Sequence, residues 1–180
     1  MSAQPTDERT IIREVVRAFY PPRRWAVCPN VSWGCLSWEA DILAVTPAGT
    51  VHEVEVKISK ADLLRDLNKT KWGYKWQGLV HADGEVNANA PIRLYVDEYW
   101  IAAPREIMDV AISHAQKLGA GLYVFSDDTG CVSSPFACRW KRREKTTREK
   151  YQITPESIHR LAALRYWDTL NKTTRGGKHE

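Results

Sequence analysis

The seven residues Val51-His-Glu-Val-Glu-Val-Lys57 (VHEVEVK) alternate apolar and polar side chains, the period-two pattern of a β-strand. Val54, Val56 and Ile58 fall on one face and pack, whereas Glu53, Glu55 and Lys57 fall on the other. A strand made of good β-formers thus lines up two carboxylates and an ammonium. Upstream, WEADILAVT reads as a strand from about Glu39 to Thr46, and Pro47-Ala48-Gly49 supplies the turn that folds the two into a hairpin. That pairing lets Asp41, itself in an apolar setting, meet Glu55 across the ladder. Carboxylates brought together repel each other and lose hydration. A divalent cation relieves both costs, and carboxylates, a backbone carbonyl and waters are hard oxygen ligands that suit magnesium or manganese. Lys57 is placed to hold a water or a phosphate oxygen beside such a metal. The competing reading makes the acidic face an ordinary solvated side of an antiparallel pair, with Asp41 ending a strand.

The rest of the chain frames this hairpin. Residues Asp7 to Tyr20 read as a helix, with Thr6 able to cap it, Asp7 and Glu8 at its positive end, and Pro21-Pro22 stopping it. On a helical wheel Glu8 falls within the stripe of Ile12, Val15 and Phe19, while Glu14 points away. Short extended pieces follow around Trp25 to Cys28 and Val31 to Leu36. After the acidic strand, Ser59 can cap a helix through KADLLRDLNKT. Gly78 to Asp97, rich in Gly, Asn and Ala in its first part, looks like an inserted loop that gives way to the strand EYWIAA. Pro104 opens a helix through Lys117, ended by Gly119 and Gly121. GLYVFS is a further strand, DDTG a turn to another near Cys131, and Pro155 to Leu170 a last helix. Residues 1–171 form one domain, with 172–180 a tail. The order of elements is that of a mixed α/β domain.

Composition agrees with a single core: 180 residues, 43% apolar and 27% charged, with 26 Lys and Arg against 22 Asp and Glu. The net charge of +4 permits a polyanionic partner without demanding one. No apolar run is long enough to span a bilayer, and MSAQPTDERT lacks the regions of a signal peptide, so the expected compartment is the cytoplasm. Cys28, Cys35, Cys131 and Cys138 form two pairs with six intervening residues, wider than the usual zinc spacing, and read as buried thiols.

The pattern Asp41 … Glu55-Val56-Lys57 resembles the D…(D/E)-x-K motif of the PD-(D/E)XK nuclease superfamily. The flanking VEVKISKADLLRDLNKTKW, YWIAAP and GLYVFS are similar to the MmcB-type DNA-repair nucleases, from about Glu39 to Leu170. Ala40 stands where the superfamily name has proline. The resemblance implies a restriction-endonuclease-like fold, a mixed sheet flanked by helices. It also implies a Mg²⁺- or Mn²⁺-dependent deoxyribonuclease acting in DNA repair, recombination or the processing of phage or mobile-element DNA. Asp41, Glu55 and Val56 would bind the metal and Lys57 would act electrostatically. Glu8-Arg9-Thr10-Ile11-Ile12 resembles the start of archaeal Holliday-junction resolvases, which implies Glu8 as an accessory acid. Many relatives act as dimers, so a homodimer is a possible partner beside DNA.

Candidate DNA contacts are Lys60 on the helix after the acidic strand, Lys69, Lys71, Trp72 and Lys75 in NKTKWGYKW, and Arg142 and Arg143 in KRREKTTREK. Helix solvation and tryptophan packing are the bland alternatives. Glu53 reads as a surface residue or one that supports the site from behind, and Asp62 and Asp66 as partners balancing charge along their helix. The rival functional readings are a nucleic-acid-binding module that keeps the nuclease fold without turnover, and an interaction protein whose acidic strand is surface.

Overall fold

In the computed structural model the described residues are 7–31, 36, 38–66, 71, 92, 95–133, 137–140 and 152–164. They build a mixed α/β fold on a six-stranded sheet whose spatial order follows the chain, β1 to β6. The elements are α1 (Glu8–Phe19), β1 (Ala26–Val31), β2 (Ala40–Val45), β3 (Val51–Val56), α2 (Lys60–Asp66), β4 (Glu98–Pro104), α3 (Met108–Leu118), β5 (Gly121–Ser126) and β6 (Gly130–Ser133). A further helix, α4, covers residues 155–164. Of the two extended pieces expected before β2, the first falls mostly within β1, which runs on to Val31; residues 32–35 of the second lie outside the described residues. As an edge strand it tolerates Pro29, and Asn30 adopts a positive φ of 52° within it.

Strands β1, β2 and β3 form an antiparallel meander, β3, β4 and β5 run parallel, and β6 returns antiparallel to β5. Parallel neighbours need a crossover, and α2 and α3 lie in those connections. The pleat divides the core into two layers. Ile42, Ala44, Val54, Val56, Ala102, Tyr123 and Phe125 pack against Ile11, Ile12 and Val15 of α1. Leu43, Val45, Val51, Tyr99, Ile101, Leu122 and Val124 pack on the other side with Leu63 of α2, Ala111, Ala115 and Leu118 of α3, and Ile158 of α4. Glu53, Glu55 and Lys57 follow Val51 by the same period, so they face α2 and α3.

Local signals explain the helix ends. Asp7 caps α1, its Oδ1 accepting from the Thr10 amide at 2.6 Å, where Thr6 was the expected cap. Ser59 caps α2 as its position suggests, Oγ accepting from the Asp62 amide at 3.2 Å. Pro104 ends β4, and a 3₁₀ turn, Arg105–Ile107, intervenes before α3. Gly119 ends α3 at φ 61°, a left-handed cap that glycine takes at no steric cost.

On the α1 side, Trp100 of β4 lies over Gly121 of β5 and stacks on Tyr123, with ring centroids 4.5 Å apart and planes 8° from parallel. A Cβ on Gly121 would stand 2.2 Å from Trp100 Cε3, so the indole would have to move. Gly121→Ala is expected to cost about 1–3 kcal/mol of stability as an overpacking change. Urea denaturation checks this, and an unchanged midpoint would mean that Trp100 does not cover Gly121.

Candidate metal and catalytic site

The β2–β3 ladder runs from Val45↔Val51 to Ile42↔Val54. One step further along that register would set Asp41 opposite Glu55. There the Asp41 side chain takes the place of a backbone partner, with Oδ2 accepting from the Val56 amide at 2.7 Å. The carboxylate of β2 is therefore tied to the backbone of β3 between Glu55 and Lys57.

Behind it lies a buried network of charges. Glu55 is 2% exposed; its Oε1 accepts from Lys57 Nζ at 2.8 Å and its Oε2 from Lys71 Nζ at 2.9 Å. Lys57 Nζ also lies 3.2 Å from Asp66 Oδ1. Lys71 Nζ donates to Glu53 Oε1 at 2.9 Å and to the Tyr99 hydroxyl at 3.1 Å. Tyr99 in turn donates to Asp66 Oδ2 at 3.1 Å, and Trp38 Nε1 donates to Glu53 Oε2 at 2.9 Å. His114 of α3 closes the group, its Nε2 3.7 Å from Asp66 Oδ2, beyond hydrogen-bond reach but within range of an ion pair.

The environment keeps Asp66 and Lys71 in their charged forms. Burial opposes the ionisation of Asp66, but Lys71, His114 and Lys57 together outweigh it and hold the carboxyl well below its ordinary range. Burial likewise disfavours the Lys71 ammonium, yet Glu53, then Tyr99 and Asp66, hold it well above the usual lysine value. Burial, reinforced by Asp66, raises Tyr99 well above 10.0, so its hydroxyl stays neutral. Among the named side chains, four carboxylates (Asp41, Glu53, Glu55 and Asp66) face two ammonium groups (Lys57 and Lys71).

The structure thus brings together Asp41, Glu55, Val56 and Lys57 as the sequence led one to expect, and it changes several other assignments. Glu8 is exposed rather than part of the buried stripe. Helix α1 turns Ile11, Ile12 and Val15 inward and packs on the Val54 and Val56 face, on the side of the sheet away from Glu55. Its half-buried acid is Glu14, bound by Arg17 at 2.7 Å and Arg13 at 3.3 Å. Lys71 is fully buried, so it is no surface contact for DNA. Glu53 is fully buried too, which removes the surface reading and leaves the supporting one. Asp66, taken for a helix-surface partner, is a buried member of the network, and Leu63 at i−3 was the signal that α2 turns both inward. Lys60 and Glu39 are exposed. Lys69, Trp72, Lys75, Arg142, Arg143, most of the 78–97 loop and the 172–180 tail lie outside the described residues.

Among the described residues Cys28 is buried, and Cys131 and Cys138 are half-buried thiols, with Cys131 pushed up to about 12 by burial and the Glu14 charge. No helix among the described residues is long and apolar enough to cross a membrane.

Comparison with known proteins gives the fold. The chain is similar to the SPO1766 protein of unknown function from Silicibacter pomeroyi, with a TM-score of 0.55 and 16% identity over 100% of this chain and 98% of that one. No family model matches the chain, and no curated protein does.

Removing the charge of Asp66 leaves Lys57 and Lys71 short of a buried counter-ion. Asp66→Asn is expected to cost about 3–5 kcal/mol at neutral pH. Because the folded-state pKa is depressed, this contribution is complete above the unfolded value of 3.8 and fades as pH falls below it. Urea midpoints of the two proteins should stay equally far apart from neutral pH to about pH 5 and converge in stronger acid. A constant gap throughout would show that Asp66 acts by shape and not by charge.

Proposed function

We propose that this protein is a metal-dependent nuclease that hydrolyses phosphodiester bonds in DNA, with Asp41, Glu55, Val56 and Lys57 as its catalytic group. The carrying observation is the Asp41–Val56 hydrogen bond, which fixes a carboxylate of one strand beside Glu55 and Lys57 of the next. That juxtaposition of an acid with a Glu-x-Lys strand at the end of a hairpin is what the resemblance to PD-(D/E)XK nucleases requires.

The donor set fits magnesium or manganese. Among the described residues no group of three or more His, Cys, Asp and Glu side chains is arranged as a metal cage. Magnesium does not need one, since it is commonly bound through one or two carboxylates with water and substrate phosphate completing its shell. The two carboxylates in excess over ammonium groups make a divalent cation electrostatically welcome. When bound, the metal polarises the scissile phosphate and acidifies a bound water. Asp41 and Glu55 would hold it together with the Val56 carbonyl. Lys57 gives up one of its two carboxylate contacts and turns its ammonium to the phosphoryl oxygens, where negative charge builds. Asp66, 3.2 Å from that ammonium, keeps it aimed until substrate arrives.

A panel of labelled single-stranded, duplex and branched DNA, with matched RNA, tests the reading in magnesium, manganese, calcium and excess chelator. Cleavage is expected in the first two alone. Lys57→Ala should lower turnover by about 10²–10³-fold while DNA and metal still bind. Glu55→Ala should lose metal affinity as well. Undiminished cleavage in chelator, or full activity in both variants, would rule the mechanism out. DNA binding without cleavage under every condition would favour a binding module that keeps the nuclease fold.

A further inference from the structure

Lys71 stands apart from the rest of the site. It has no sequence relation to the Asp41 and Glu-x-Lys pattern, yet its ammonium is fully buried among the acids. An ammonium has three N–H donors, and here each has an acceptor: Glu53 Oε1 at 2.9 Å, Glu55 Oε2 at 2.9 Å and the Tyr99 hydroxyl at 3.1 Å. The charge also lies 4.5 Å from the centroid of the Tyr99 ring, a favourable cation–π distance. Glu53 is held for this purpose from its far side, its second oxygen bound by the Trp38 indole.

Two-metal nucleases place two divalent ions about 3.5–4 Å apart with carboxylates shared between them. Here Glu55 is the shared acid. Asp41 lies beside one side of it, and Glu53 is linked to it through Lys71. The position a second ion would need, between Glu53 and Glu55, holds the Lys71 ammonium. A monovalent charge fixed by a side chain neutralises this pair without exchanging with solvent, and holds Glu55 Oε2 in place.

We propose that Lys71 is a built-in second cation, so that the site takes a single divalent ion, on the Asp41 side of Glu55. The inference rests on the nuclease reading above, and the experiment separates failure of one from failure of the other. Manganese binding to the full-length chain is measured by calorimetry for wild type, Glu55→Gln, Lys71→Met and Lys71→Arg, with melting temperature recorded with and without manganese. Only ions whose binding is lost in Glu55→Gln are counted. The expected result is a single such ion in wild type and in Lys71→Arg. Lys71→Met should melt lower without metal, gain a second ion, and be raised by manganese by a larger margin than wild type. If Lys71→Met folds only when manganese is present, that too supports the proposal. Two Glu55-dependent ions in wild type would overturn it. So would a Lys71→Met protein with unchanged stoichiometry and an unchanged thermal response to manganese, or one that fails to fold even with manganese while Lys71→Arg also fails. No Glu55-dependent ion in wild type would sink the nuclease reading itself.

Discussion

The structure on the α2 and α3 side depends on one constraint: Glu55, in the middle of a six-stranded sheet and almost without solvent, must have both carboxylate oxygens paired. Two ammonium groups meet that constraint, one on each carboxylate oxygen. Each ammonium then needs further partners, since a buried donor left unpaired costs more than a typical hydrogen bond contributes net. Lys57 finds Asp66, and Lys71 finds Glu53 and Tyr99. The demands propagate outward until they reach the Trp38 indole and His114 on α3. Strands β3 and β4, helices α2 and α3, and the residues before β2 are thereby tied to one carboxylate.

The two faces of the sheet answer different needs. On the α1 side the polar groups are few and satisfied locally. Tyr20 bonds Tyr123 at 3.1 Å and His52 at 3.3 Å, and His52 lies 3.2 Å from Glu98. Burial pushes His52 below its ordinary value despite that carboxylate, so its neutral form sits among Trp25, Tyr20 and Trp100 as a packing aromatic. Stacked rings and aliphatic side chains make this layer a core in the usual sense. The opposite layer is apolar around its rim and charged at the strand ends where β2 and β3 part. Asp41 reaches across the opening to Val56.

Much of this was legible in the sequence, and the part that was not has a physical explanation. Period two in β3, the Pro-Ala-Gly turn and the Ser59 cap are local signals, and each survives tertiary contact because packing reinforces it. Glu8 failed because a wheel gives direction around a helix and not position along it: Glu8 is the first residue of α1 and is exposed there, while burial begins at Ile11. Glu53 was judged by its type, since glutamate is rarely buried without a partner. Its partners, Lys71 and Trp38, lie 18 and 15 residues away and no pattern connects them. Lys71 sits in a run of cations and aromatics whose composition suggests a nucleic-acid surface, and composition cannot tell which member of such a run turns inward.

The energetics of the charged layer bear on what it is for. Buried ion pairs contribute little net stability, because desolvation takes back most of the attraction, and apolar replacements of like volume are often neutral or stabilising. Sheet residues at these positions need only fill space between β3, α2 and α3, which valine and leucine do elsewhere in the same layer at Val51, Leu63 and Leu122. Stability alone therefore gives no reason for two lysines and three acids in the interior. A cluster whose charges are all held in place is one whose field is preorganised, and such a field acts on charge that appears nearby without first having to rearrange. Asp41, half-exposed at the margin of the cluster, is where that field meets solvent. On the proposed nuclease reading, the costly arrangement behind it supports chemistry at that margin.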